Sequence, residues 1–537
     1  MSEVLQQSAA LNAPEVKFKS SSLLSYLPAI LAVVGAVLMV LLRIQSGGSH
    51  FISDGALMML ALACYLTAAT FHLTNLYAPS NTAQKLGLWF ATIGVFCNAS
   101  SWGVRWIAAH DRELATFLAQ GRTAADLPWA FRYIPFANLY DLSLAFAFGA
   151  GITTLVIAHR KNFRFLGAVT LPLASLVLLL ARFIGNEFID LPPILDSYWR
   201  PIHVGIASLS YGVALVCFAV AVVYLLKDGV KTEAMAIWSS IFVVSVIATV
   251  SRFSVFTSFT YGASTFLGTA GARSPVPLRA DIPYVGPLLA LTGLLLIGVI
   301  VSFGMYLAKE NEAARLWGHR LLKLSLVVQA SAIALLVSQV KTMTNLVAHI
   351  DTSQYAHFGK WVAEHAAGLS TQEIATMSAP QLEQFSTRFV QQNGSLLHLS
   401  LNANPVELAA LITAFAATLF VIIFSFRTEK LRAALPPLEK LDSLMYVTAG
   451  ITFAGLALLL MTGAIWANES WGHYWQWDSK ETGAFVAWLT YAAFLHSRIA
   501  RGWSGRRSAY FAVAGFLFII FTYLGVSYLL PGLHSYA

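Results

Sequence analysis

The sequence predicts an all-α fold, a polytopic transmembrane helical bundle of about 13 spans. Three observations carry that prediction. Of the 537 residues, 57% are hydrophobic and only 11% are charged, with a mean hydropathy of +0.66. A soluble globular chain carries roughly 25% charged residues. Apolar runs of about 20 residues, the length that crosses a bilayer as a helix, recur along the chain. Lys and Arg gather in short loops of one parity, the asymmetry that marks cytoplasmic loops. These loops account for the net charge of +8, which therefore does not point to nucleic acid.

Taken in order, the spans lie at roughly 23–43, 55–77, 86–106, 139–158, 164–183, 203–226, 235–256, 284–307, 319–341, 405–426, 441–464, 482–499 and 509–530. The first 22 residues are polar and show no small-residue cleavage site, so the first run reads as a retained span and not a signal peptide. The basic clusters are Arg160/Lys161/Arg164, Lys309/Arg315/Arg320/Lys323, Arg427/Lys430/Arg432 and Arg498/Arg501/Arg506/Arg507. They predict a cytoplasmic amino terminus and, with an odd span count, a carboxyl terminus outside. Four outer segments are long: 107–138, 184–200, 257–283 and 342–404. In the last, Gln354–Ala367 and Ser378–Val390 show a helical apolar period. Its histidines (His349, His357, His365, His398) include no i,i+4 pair and read as solvated surface. Cys64, Cys97 and Cys217 are scattered in apolar runs, and no CxxC or Cys/His metal spacing exists.

The chemistry concentrates in Trp466–Glu481, WANESWGHYWQWDSKE. Trp466, Trp471, Trp475 and Trp477 are followed by Asp478 and Glu481, with long apolar runs on both sides. A segment like this at a membrane surface presents flat aromatic faces beside a few polar handles. It suits a flat, apolar, anionic ligand such as haem. The alternative is an interfacial aromatic belt, although a belt is usually spread over several helix ends.

Topology puts His203, in RPIHVGIASLSY, and His534, in GLHSYA, at the depth of this loop. Two facing imidazoles can supply both axial ligands of a haem iron; the alternative is a pair of partly solvated interfacial histidines. His496 lies near the cytoplasmic end of the twelfth span, on one face with Trp488 and Ala492. Inside lipid it needs a carbonyl, a hydroxyl or a metal. His72, in the second span, reads as structural. Arg105, Arg132, Asn138, Tyr140, Asp141, Arg182 and Arg200 mark the outer face. Arginine is the usual fork for a carboxylate, and the alternative is snorkelling to headgroups.

The stretch GAIWANESWGHYWQWDSKETGAFVAWLTYAAFLHSR resembles the signature of the CcsA (ResC) cytochrome c biogenesis proteins of the WWD haem-handling superfamily. The segments IPFANLYDLS, WRPIHVGIASLSYGVALV and YLGVSYLLPGLHSYA are similar to further signature segments of that family. The resemblance covers about 86–227 and 440–537, and 55–85 loosely. It implies a haem-handling and export subunit of a cytochrome c synthase (haem lyase), working with a CcsB (ResB)-type membrane protein. Haem b would be presented at an outer WWD site for thioether attachment to the CxxCH cysteines of an apocytochrome c. The setting implied is the bacterial cytoplasmic (inner) membrane, with membrane lipid around the chain and the Trp loop on the periplasmic side. Carried over residue by residue, His203 and His534 are the outer iron ligands and His496 an inner one. Trp466, Trp471, Trp475, Trp477, Asp478 and Glu481, with Asn138, Tyr140 and Arg132, are the expected haem-binding set.

Ser479 stands where the family motif usually has Pro, and His473 where Ser is usual. The domains read as 1–54, a cytoplasmic start with an extra span; 55–228 and 440–537, two parts of a CcsA-like core; and 229–439, an inserted module of four spans. Two other classes stay in play. One is a transporter of an organic anion, which predicts an inverted repeat. The other is a structural scaffold of a respiratory assembly, which predicts no bound haem.

Overall fold

The computed structural model describes residues 23–48, 51–127, 130–188, 193–268, 274–399 and 405–525. The chain forms two units, Met1–Val230 with Arg427–Ala537, and Lys231–Phe426. In chain order the first unit opens with α1 (Leu27–Gln45), α2 (Asp54–Tyr77), α3 (Asn81–Ala119), α4 (Leu139–Ala158), α5 (Gly167–Ile184) and α6 (Trp199–Lys227). The second unit holds α7 (Thr232–Val250), β1 (Gly262–Leu267), β2 (Ser274–Asp281), α8 (Val285–Lys309) and α9 (Glu312–Thr342). It continues through α10 (Tyr355–His365), α11 (Ala379–Asn393), β3 (Leu397–Leu399) and α12 (Pro405–Ser425). The first unit resumes with α13 (Leu438–Trp471), α14 (Ser479–Arg501) and α15 (Arg506–Ile520), which runs into a π-helical turn at Phe521–Gly525.

Every expected span overlaps one of these helices, with 526–530 of the last lying outside the described residues, and α10 and α11 are the two amphipathic helices expected within 342–404. Among the described residues, 11 helices are long and apolar enough to cross a membrane. Helices α3 and α14 have the length but are not apolar enough for that set, because Trp, Asn and Ser in α3 and Trp, Tyr and His in α14 interrupt their apolar stretches. Helix α3 also runs on to Ala119, far past its expected end, and takes up the start of the segment expected as an outer loop.

In the second unit, α8 packs on α7 and α9, and α12 packs on α7 and α9. Gln329 on α9 donates to Thr418 on α12 at 3.1 Å, which satisfies two polar groups inside an apolar bundle. The segments between α7 and α8 and between α11 and α12 build a small antiparallel sheet in the order β2-β1-β3. This sheet is the one departure from an all-α reading. Its core joins Val276 and Leu278 to Phe358, Val362 and Val390 of α10 and α11.

In the first unit α6 is the most enclosed helix, with 78% of its apolar window buried. It packs on α4, α13 and α15. Glycines set two of those contacts. A Cβ at Gly212 of α6 would lie 2.5 Å from the backbone of Gly149 in α4, so these two helices meet backbone to backbone. On the other flank, Gly455 and Gly463 of α13 face Ser210 and His203 of α6. His72 is buried, packed on Gly87 and Gly167 and hydrogen-bonded to the Gly87 backbone.

A buried charge cluster ties the same unit together. Arg105, 1% exposed, donates to Asp141, to Asp54 at 3.4 Å and to the carbonyl of Asn186 at 2.7 Å. Its guanidinium lies over the rings of Tyr140 and Phe188. Two carboxylates against one guanidinium make the arginine indispensable to α2, α3 and α4. Arg105→Met is expected to cost about 3–5 kcal/mol, the scale for stranding a buried partner. A melting curve of the detergent-purified protein checks this, and adding Asp141→Asn should recover part of the loss.

Candidate functional site

One end of the first unit holds a cavity of about 150 Å³. Its wall comes from the starts of α4, α6 and α14, the end of α13, the loop between α13 and α14, and the turn after α15. Most of the lining is apolar or aromatic, including Phe136, Tyr211, Trp466, Trp471, Tyr474, Trp475 and Tyr523.

The Trp-rich loop is pinned at both ends. Helix α13 stops at Gly472, whose φ of 78° suits glycine and whose N–H donates to Asn468 at 2.9 Å. Helix α14 opens with a capping box. Asp478 accepts the Lys480 N–H at 3.0 Å, and Glu481 accepts the N–H groups of Asp478 (3.2 Å) and Gln476 (2.9 Å). Trp477 is held at φ 60°, a left-handed conformation rare for a bulky side chain. Trp475 and Trp477 therefore meet edge-on at 5.6 Å, and both pack on Phe485.

His203 stands in the cavity wall. Its Nδ1 lies 3.0 Å from the carbonyl oxygen of Leu459 and 3.4 Å from Thr462 Oγ1. A carbonyl only accepts, so Nδ1 carries the proton and Nε2 the lone pair. Metal-binding imidazoles are usually oriented by such a bond. The ring packs on Gly463 and sits 5.7 Å from Trp466. Among the described residues, Trp466 Nε1, Ser470 Oγ, His473 Nε2 and Trp488 Nε1 are buried without a hydrogen-bond partner. Orphaned polar atoms are rare in folded proteins; others among the described residues, such as those of Ser100, Ser239 and Ser240, lie away from this loop.

The expected site residues divide. Trp466, Trp471, Trp475, Glu481, Asn138 and His203 line the cavity together. Trp477 is 66% exposed and lies outside the lining. Asp478 also lies outside it and serves the capping box. Tyr140 stands apart because its hydroxyl donates to Asp54 at 3.0 Å. Arg132 does so because its guanidinium pairs with Asp196 and reaches Glu113 at 3.9 Å. His496 is exposed on α14 near the opposite end of the helix, away from this lining. His534 falls outside the described residues.

Sequence reasoning passed over Tyr211, Tyr523 and Lys480, all in the wall. Tyr211 was findable, because His203, Ala207 and Tyr211 recur every fourth residue on one face of α6. Lys480 also left a signal. It is a cation in the first turn of a helix, where the dipole disfavours positive charge.

Among the described residues no group of three or more His, Cys, Asp or Glu could hold a bare metal ion. One imidazole over an aromatic wall fits a metal that brings most of its own ligands, as in a metalloporphyrin. The fold and site define a helical membrane protein with an aromatic ligand cavity at one end of its bundle.

The cytochrome c assembly protein family matches residues 136–262 and 288–534, well over half of the chain and every described wall residue of the cavity. A cytochrome c biogenesis protein CcsA from Prochlorococcus marinus (strain MIT 9301) is 32% identical over 238 residues, 44% of this chain and 71% of the relative. The CcsA of P. marinus strain MIT 9515 is 58% identical over 98 residues, 18% of this chain. That of Guillardia theta is 52% identical over 99 residues. The two shorter matches span only 31% and 33% of those relatives' lengths. The chain belongs to the cytochrome c assembly protein family. The match also runs through most of the second unit, with a break at 263–287.

Asp478→Ala is expected to remove the α14 cap at a cost of about 1 kcal/mol and to loosen the loop. Iodide quenching of tryptophan fluorescence should rise, while Ser479→Ala, at a position outside the capping box, should leave it unchanged.

Proposed function

We propose that this chain handles haem as its cargo and holds it at the cavity for attachment to apocytochrome c. The observation that carries the reading is His203, an imidazole oriented by the Leu459 carbonyl in a wall of three tryptophans. Family membership supports it independently. His203 would bind the iron on one face of the ring. His534 is the proposed second ligand; it follows the cavity residue Tyr523 by a short stretch of sequence. Trp466, Trp471 and Trp475 would cover the porphyrin face.

Cavity size favours presentation over storage. Pockets that bury a small ligand are about 300–1,000 Å³, against about 150 Å³ here. A porphyrin would be gripped by part of its surface, with an edge left open to a partner. At that edge each cysteine thiol of a CxxCH motif adds across a vinyl group. A C–S and a C–H bond form and nothing leaves, so this chain contributes mainly position. Arg160, just past α4, Arg498 and Arg501, in the last turn of α14, and Arg506 and Arg507, which open α15, lie at helix ends opposite to those that build the cavity. By the positive-inside rule the cavity then faces the outer, periplasmic side of a bacterial inner membrane. A CcsB-type membrane protein is the proposed partner. His496, exposed on α14, is the proposed inner ligand on the path of haem across the membrane.

Absorption spectra of the detergent-purified protein test the reading. Wild type should carry a Soret band, and His203→Ala should shift it and lower haem occupancy several-fold. Protein without haem, or a band indifferent to His203→Ala, overturns it.

A further inference from the structure

The wall of the cavity holds one cation, Lys480, that is offset only in part, by the Asp478 carboxylate two residues before it. Lys480 lines the cavity among aromatic side chains. Among the described residues its ammonium has no hydrogen bond or ion pair. The two neighbouring carboxylates make their hydrogen bonds to backbone N–H groups, and Asp478 attracts the ammonium without a direct contact. Glu481 is turned back onto the N–H groups of Gln476 and Asp478, and Asp478 accepts the backbone N–H of Lys480 itself. Arg200, the other cation in the wall, donates to the Arg132 carbonyl at 2.6 Å and reaches Asp196 at 3.8 Å. Lys480 also sits at the positive end of the α14 dipole. Burial among aromatic side chains and the helix dipole disfavour this charge, Asp478 offsets them only in part, and the position of Lys480 over the cavity gives a ligand carboxylate access to it.

We propose that Lys480 selects for a carboxylate on the cavity ligand, pairing with one acidic side arm of the porphyrin while His203 takes the iron. This rests on the reading of the cavity as a haem site. It assigns Lys480 a specificity role: a porphyrin with esterified side arms keeps its metal, ring and vinyl groups but loses the partner of the ammonium. Lys480 precedes the membrane-spanning part of α14. Burial pushes its ammonium down to about 8, so the charge is lost as pH rises through that value. A bound carboxylate favours the charged form.

The test titrates the detergent-purified full chain with haem and with haem dimethyl ester, followed at the Soret band. Wild type should bind the free acid about tenfold more tightly than the diester, the scale of one charged hydrogen bond. Lys480→Met should abolish that preference by weakening the acid alone, and Lys480→Arg should keep it. In wild type the preference should shrink between pH 7 and pH 9. Equal binding of acid and diester by wild type, or an undiminished preference in Lys480→Met, overturns the assignment of Lys480 and leaves the haem reading standing. Binding of neither porphyrin overturns the haem reading, and this proposal with it. If Lys480→Met does not fold, the wild-type pH series and Lys480→Arg decide the matter.

Discussion

The close approach of α6 to α13 is the constraint on which the site depends. Gly455 and Gly463 leave room for Ser210 and His203 on the facing helix. Because Gly463 has no side chain, the imidazole lies flat enough on α13 to reach the carbonyl of Leu459 at 3.0 Å. That bond fixes ring orientation and tautomer together. Trp466, one turn further along α13, then comes within 5.7 Å of the imidazole. The same helix carries on to Trp471 and delivers the aromatic loop. Small residues at membrane helix contacts usually serve packing alone; here the packing also aims a ligand.

The loop depends in turn on polar bonds at its ends. Asp478 and Glu481 spend their carboxylates on backbone N–H groups, the ordinary chemistry of a helix start. This is why the acidic residue of the motif need not touch the ligand to matter. Because the cap directs both acids onto backbone N–H groups, Lys480 is left without a direct ion pair among the described residues. The Arg105 cluster does similar work one layer behind. Tyr140 and Arg132 belong to that supporting layer, the first through Asp54 and the second through Asp196.

Much of this was legible in the sequence. Apolar runs of membrane length located all thirteen long helices, since a span of about 20 residues is a physical requirement of the bilayer. Trp466, Trp471, Trp475, Glu481, Asn138 and His203 could be picked out as candidates because the tryptophans crowd into one loop, where a belt would be spread over several helix ends, and because the segments holding all six resemble the family's signatures. What could not be read was how charges are shared out. Nothing in the spacing of Tyr140 reveals a partner 86 residues away at Asp54. The small sheet was invisible for another reason: β2 carries Pro275 and Pro277, which argue against a strand, and β3 has only three residues. The length of α3 was missed because helices outlast their apolar stretch wherever they pack on a neighbour, as α3 does on α2 and α1.

The central claim is that the α6–α13 contact aims His203 at the iron of the cavity ligand. Gly463→Ala tests it most directly, because a Cβ there would sit 2.7 Å from His203 Cε1. Gly450→Ala, on the same helix with nothing within 4 Å of its added Cβ, is the control. The haem spectrum of each purified variant is the measurement. The account predicts a shifted Soret band and weakened haem binding for Gly463→Ala, with Gly450→Ala like wild type. A wild-type spectrum and affinity in Gly463→Ala would contradict it.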